Sequence, residues 1–413
     1  MLAAAQVAQT LFLLPDVPNH RFIMFFVNVA LVIAIVQAHD SKRFNRLRGS
    51  LSETVFRSFV PFARFAVIAV YGFAALAKLN YDYFNPGHSC CTKFYGNILD
   101  WNRLLPRAEA IGSLMILATV VIELSLPILL MWSRSRVLGV VVGLAFHLAL
   151  SLDLVKLFLN FSATMSALLI LFLPGDFYCV FIEKWRALRN GTSDLRVVSR
   201  LCAATLILHV PLVITCIFVT EDKQISQVYI SALGIIWWSY SLSLLIATFA
   251  YLRMVRNGEF RHNSTPTIPF RAPLVIVAPL VIINGCSPYL GIKTRTSFNM
   301  YSNLRIEADY SNHLFMPESA DLLGNLSDTV SIVETDDPQL KEFEKSTVKL
   351  TYFEFSSHVA NRRDLNVVYR RGEELLTYRG RRLNNGVYAP HWILRKLLLY
   401  RPVGDGVEEG CIW

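Results

Sequence analysis

The chain has 413 residues, 54% of them apolar and only 17% charged, with a formal net charge of +9. An ordinary soluble domain is about 25% charged, so a soluble cytosolic enzyme is excluded, as are a disordered chain and a small disulfide scaffold. Apolar runs near twenty residues recur up to residue 287, each long enough for a hydrocarbon core about 30 Å thick. They are continuous rather than alternating, which argues against a transmembrane barrel.

Residues 1–16 are too short to span and lack the basic start of a cleavable signal, so they read as an interfacial segment or the remnant of a lost first helix. Eight spans are then predicted, near residues 22–38, 59–77, 110–132, 137–152, 157–173, 201–219, 228–252 and 272–285. The fourth and fifth form a tight hairpin. Pro273 and Pro279 kink the last. Lys and Arg gather in the loops 39–58, 133–136, 174–200 and 253–271, which therefore face the cytoplasm. An even span count then places both termini on the extracytoplasmic side. All the excess positive charge lies within residues 1–287, where it faces anionic lipid, so no nucleic acid partner is implied. Segment 178–189 reads as an amphipathic helix on that surface.

Composition changes after Pro288. Residues 347–355 alternate as a strand does. Segments 365–370 and 374–379 flank Arg371-Gly372-Glu373, a hairpin signal. Residues 389–401 read as a helix, with Pro390 at its start. The expected fold is an all-α polytopic membrane helix bundle of about eight spans, residues 1–287. A small extracytoplasmic α+β domain, residues 288–413, caps its outer face.

Ionisable residues within spans are costly and default to functional candidates. Arg64 is close enough to a span end to snorkel. Glu123 and His147 lie at matching depth on consecutive helices and can pair, either as a polar clasp with Ser125 and Ser151 or as a proton-handling pair. His209 reads as an interhelical donor. Lys78 ends the second span. It reads as an interfacial anchor among Tyr81, Tyr83 and Phe84, or as a base kept partly neutral by burial and tuned by Asp82. Asp153, Lys156 and Asn160 mark one outer tip, and Asn284 and Tyr289 end the last span on the same side. No metal signature, Walker motif, dinucleotide fingerprint or nucleophile elbow is present. Cys90, Cys91, Cys286 and Cys411 fall on the outer side, where a disulfide of undetermined pairing can form. Three glycosylation sequons begin at Asn190, Asn263 and Asn325, the first two on the cytoplasmic side.

The run Ala77-Lys78-Leu79-Asn80-Tyr81-Asp82-Tyr83 resembles the lysine segment of the vitamin K-dependent γ-glutamyl carboxylase family. In that pattern Lys78 falls on the catalytic base, Asn80 replaces an aspartate, Asp82 retains one and Tyr83 stands at a tryptophan. The stretch from Phe146-His147 through Phe158 to Pro174 resembles the family's later helices. Residues 288–304 and the tail Asn312-His313-Leu314 resemble the outer loop of the wider HTTM (horizontally transferred transmembrane) family. The resemblance covers roughly residues 20–316 and lacks the carboxylase's large propeptide-binding domain.

The resemblance implies a carboxylase-like enzyme acting on a reduced quinone or other lipid-soluble substrate at the outer face. Lys78, Glu123 and His147 would be catalytic, and Asp82, Asn160 and Asn284 would bind substrate. The competing expectation is a non-catalytic membrane module that presents its C-terminal domain to an extracytoplasmic protein or peptide. A transporter is disfavoured by the missing inverted repeat.

Overall fold

The computed structural model describes residues 1–43, 50–101, 109–153, 158–177, 223–257, 272–307, 310–344, 346, 348–360, 362, 364–380, 386–404 and 411. Span 201–219 with His209, the surface segment 178–189, Lys156 and the sequons at Asn190 and Asn263 lie outside the described residues. The chain divides into two compact units. One comprises residues 1–96, 104–124 and 270–413, and the other residues 97–103 and 125–269.

The first unit begins with α1 (Leu2–Leu13), followed by α2 (Asn19–Arg43) after a turn holding Pro15 and Pro18. These helices form an antiparallel hairpin, because Asn28, nine residues into α2, donates to Gln6 Oε1 at 2.8 Å. Residues 2–13 thus run back along α2. Next comes α3 (Leu51–Ala77). Ser50 caps it by accepting from the Glu53 amide at 3.2 Å. Its alanine-rich face, with Ala63, Ala66, Ala74 and Ala75 buried, packs against α2 and against α10 (Ala272–Cys286). Small side chains permit that close approach, the usual solution where water supplies no hydrophobic drive between helices. Short α4 (Tyr81–Phe84) and α5 (Cys90–Trp101) follow α3, then α6 (Glu109–Met131).

The second unit holds α7 (Arg136–Leu150), α8 (Leu159–Ile170) and α9 (Lys223–Arg256). Helix α7 packs against both others. Ser162 Oγ donates to the His147 carbonyl at 3.0 Å, and Trp238 Nε1 donates to the Ser151 carbonyl at 3.2 Å.

Four helices are long and apolar enough to cross a membrane, namely 19–40, 51–77, 110–131 and 233–256. Four of the eight predicted spans coincide with these helices. At 137–152, 157–173 and 272–285 the apolar runs are real, but the helices found there are shorter. Helix α7 closes at Ser151, and α8 gives way to turns at Leu171, ahead of Pro174.

The C-terminal region of the first unit carries a four-stranded antiparallel sheet in the order β2-β1-β3-β4. Its strands are β1 (Thr329–Thr335), β2 (Leu350–Thr351), β3 (Asn366–Arg371) and β4 (Glu374–Arg379). Val330, Ile332, Phe355, Val367 and Tyr369 form its core, with α11 (Lys341–Glu344) and α12 (Tyr352–Val359) alongside. The 365–379 hairpin forms as expected, with Gly372 at φ +59° opening a two-residue turn. The strand expected over 347–355 is a correction, since only Leu350–Thr351 joins the sheet, with Lys349 in a separate bridge to Val403. Thr351 Oγ1 then accepts from the Glu354 amide at 3.3 Å and starts a helix, so local capping overrides the alternation. The expected helix over 389–401 shortens to α13 (Trp392–Leu397). Beyond it the chain turns extended, and the Leu399 carbonyl accepts from the Thr294 and Arg295 amides. The predictions missed β1, although it pairs with two other strands.

Candidate functional site: a buried lysine–glutamate pair beneath a strained loop

Lys78 is the C-cap of α3, where the chain leaves the helix and turns into α4. Its ammonium lies 2.8 Å from Glu123 Oε2, and both side chains are less than a tenth exposed. The remaining neighbours are the Ala74 carbonyl at 3.5 Å, the Met300 carbonyl at 3.4 Å and the face of Tyr83, with 5.8 Å to its centroid. Glu123 Oε2 is buried and accepts no well-directed hydrogen bond, so its tie to Lys78 is an ion pair of poor angle. A carboxylate oxygen in that condition retains capacity for one more proton donor.

Glu123 stands fourteen residues after Glu109, or about 21 Å along α6 from its first residue. Lys78 thus lies level with the second half of α6. The ion pair of Glu123 is with Lys78, a residue that the matched-depth argument for His147 did not place beside it.

The turn after Lys78 is held by amide side chains. Asn80, fully buried, donates from Nδ2 to the carbonyls of Ala77 at 2.8 Å and Ser302 at 2.6 Å, while its Oδ1 accepts from the Tyr83 amide at 2.8 Å. An aspartate here would set a carboxylate against two carbonyl oxygens, which explains an asparagine in this position physically. Asn312 donates to Asp82 Oδ2 and to the Asn303 carbonyl, both at 2.7 Å. Asn303 in turn donates to the His88 carbonyl at 3.0 Å and accepts from the Cys90 amide at 2.8 Å. His313 accepts the Phe315 and Met316 amides on Nδ1, so its Nε2 carries the proton directed at the Leu76 carbonyl at 3.0 Å. Cys90 is joined to Cys411, while Cys91 and Cys286 are free thiols. The Tyr83 hydroxyl lies beside Cys91 and Thr119, and burial pushes the phenol well above its ordinary value, so it stays a neutral donor.

The loop covering Lys78 is strained. Thr296, Phe298, Tyr301 and Asn303 all have φ between 49° and 62°, and none is glycine. Each such residue costs on the order of 1 kcal/mol. Such conformations persist only where their surroundings impose them. Here Phe298 is fully buried with its amide on Asn19 Oδ1 at 3.0 Å. The outcome is a row of inward carbonyls, with Met300 at Lys78, Ser302 at Asn80 and Thr296 at both Asn284 and Lys293. Gly291 opens the loop at φ +68°, with Asp321 backbone only 2.3 Å from where a Cβ would sit.

Of the residues singled out from sequence, Lys78, Glu123, Asp82 and Asn284 belong to the first unit, and Lys78 and Glu123 form an ion pair there. Asp82 is engaged by Asn312, and Asn284 donates to the Thr296 carbonyl at 3.1 Å. His147 and Asn160 belong to the second unit. His147 is buried between Phe146 and Phe161, and Asn160 is exposed in the first turn of α8. The structural roles of Asn303, Asn312 and Lys293 were not anticipated. The recurrence of asparagine at 284, 299, 303 and 312 was the available signal, since asparagine tolerates positive φ and bonds backbone on both sides. Among the described residues no cluster of His, Cys, Asp or Glu is arranged to hold a metal. The chain matches no family model, no curated protein and no solved structure.

Proposed function

We propose that this chain is a multi-pass membrane enzyme of the HTTM type, with about eight spans and both termini extracytoplasmic, in which Lys78 and Glu123 exchange a proton with a reduced quinone or other lipid-soluble substrate. The observation that supports this reading is the buried Glu123 oxygen lacking a directed hydrogen bond at ion-pair distance from a buried amine. In a medium of low dielectric, Lys–NH3+ with carboxylate and Lys–NH2 with carboxylic acid lie closer in energy than in water. A proton passed from Lys78 to Glu123 leaves a neutral amine. That amine accepts a hydroxyl proton from a hydroquinone, giving its monoanion and Lys–NH3+. Tyr83 turns its ring face to the same nitrogen, which favours the ammonium that forms. His147 and Asn160, singled out by their positions in the sequence, belong to the second unit and carry no part of this reading.

The competing reading is a non-catalytic membrane module whose Lys78–Glu123 pair is a clasp. The contacts of Lys78 with two carbonyls favour it, because a structural ammonium collects such partners.

The test titrates reduced menaquinone and vitamin K hydroquinone against purified wild type, Lys78→Arg and the double variant Lys78→Met/Glu123→Gln. The double variant keeps the buried site neutral and so preserves the fold. Saturable binding with transfer of the hydroquinone proton, seen as the absorbance of its monoanion and lost in the double variant at unchanged Tm, is expected. Absence of binding to folded wild type, with Lys78→Arg harmless and disruption of the 365–379 hairpin damaging, assigns the clasp instead.

A further inference from the structure

Helix α13 carries its polarity the wrong way round for a water-facing surface. Trp392, Ile393, Leu394 and Leu397 are all exposed, Trp392 at 63%, while the two cations between them, Arg395 and Lys396, are half-buried. On a soluble surface the long cations would be outermost. Tyr388, just before the helix, is also exposed.

The reason for the inversion lies in what Lys396 touches. Its ammonium donates to the carbonyls of Phe12 at 2.8 Å and Leu14 at 2.6 Å, and it lies 6.0 Å from the centroid of the Phe12 ring. These carbonyls end α1, where the helix leaves acceptors unpaired and a cation is favoured. The α1–α2 hairpin turns at this point. Helix α2 is long and apolar enough to cross a membrane, so the hairpin turn marks the level at which the chain meets the membrane surface. Leu11 and Phe12 at the end of α1 are exposed as well. The apolar residues of α13 therefore continue the apolar surface of the hairpin at that level, with a tryptophan and a tyrosine where an aromatic belt belongs.

We propose that α13 is a membrane-seated foot. Trp392, Ile393, Leu394 and Leu397 enter the headgroup–acyl boundary of the leaflet at which the α1–α2 hairpin turns, and Arg395 stands by the phosphates. The occupant of this apolar face is lipid, not a protein partner. Lys396 sets the height of the foot by its bonds to α1, and the C-terminal sheet region is thereby held against the bilayer at one edge. This inference is independent of the Lys78 chemistry.

The test reconstitutes the full chain in phosphatidylcholine nanodiscs and compares tryptophan emission of wild type with Trp392→Phe, the difference being the Trp392 component. With lipid brominated at the acyl carbons nearest the headgroup, that component falls by about half or more, and less with bromine near the chain ends. Aqueous acrylamide barely affects it. A Trp392 component quenched by acrylamide and by no brominated lipid overturns the proposal, and with it lipid as the occupant. A second variant, Leu397→Asp, guards against misfolding. With Tm and helix content unchanged, it lowers the bromolipid quenching of Trp392. Quenching unaltered by that charge in a folded protein counts against the seated foot.

Discussion

Two lysines are buried equally deeply in the first unit, each at 5% exposure, and the chain treats them in opposite ways. Lys78 meets a carboxylate at 2.8 Å. Lys293 meets the ring face of Phe22 at 4.2 Å, the Thr296 hydroxyl at 3.2 Å and the Thr296 carbonyl at 3.5 Å. Burial without a counter-charge pushes the Lys293 amine down to about 7. Both lysines sit under the same strained loop, through the Met300 carbonyl in one case and Thr296 in the other. A buried amine can therefore be set against a carboxylate or left a weaker base, and the choice rests on one neighbour contributed by a distant helix.

The largest effect expected from that difference comes from the single substitution Lys78→Met. It leaves Glu123 buried without its cation, at a cost of about 3–5 kcal/mol. The double variant Lys78→Met/Glu123→Gln should recover most of it, measured by thermal unfolding in detergent. A single variant as stable as wild type would show that the pair contributes nothing to the fold.

Gly291→Ala should come next, because its Cβ meets Asp321 backbone in a conformation that side chains avoid. We expect a loss of about 2 kcal/mol or more. The carbonyls at both lysines should move together, visible as increased amide exchange across residues 294–304. Exchange rising at Lys293 alone would mean that the loop does not couple them.

Lys293→Met reads the neutral amine directly. The folded value lies below the ordinary lysine value of about 10.4, so between pH 7 and 10 the unfolded chain holds a proton that the folded chain lacks. Stability then rises with pH across that window, and the full penalty applies below it. Wild-type Tm should climb by a few degrees from pH 7 to 9 relative to Lys293→Met. Identical slopes would place a charged amine at Lys293.

The smallest effect belongs to Asp337 in the sheet region, a buried carboxylate supplied with cations. Burial raises its pKa, but bonds from His358 and the Leu340 and Gln339 amides outweigh that and leave it below its ordinary value. It also pairs with Arg362. Its stabilisation is present above the ordinary carboxylate value and is lost as pH falls through the folded one. Asp337→Asn should cost about 1–3 kcal/mol at neutral pH and flatten the acid limb of the Tm profile.

Much of this was legible in the chain. The apolar runs located α2, α3, α6 and α9, because twenty apolar residues have few alternatives to a buried or lipid-facing helix. Arg371-Gly372-Glu373 located the hairpin, since its turn needs positive φ at Gly372. Lys78, Asp82, Glu123 and Asn284 stood out because polar groups in apolar surroundings are costly. The pairing of Lys78 with Glu123 was not legible. Depth along a helix gives height but neither rotation nor partner. Strand β1 escaped because its worth comes from β2 and β3 on either side.

What the sequence determined alone was local and periodic: which segments are apolar and where the hairpin turns. Those depend on neighbours a few residues away, which the chain itself supplies. Tertiary structure alone decided which lysine obtains a carboxylate, which cysteine joins Cys411 and why Asn80 needs an amide. Each of those outcomes depends on a group from a distant part of the chain brought within a few ångströms, and electrostatic energy in a dry interior changes most steeply over that distance.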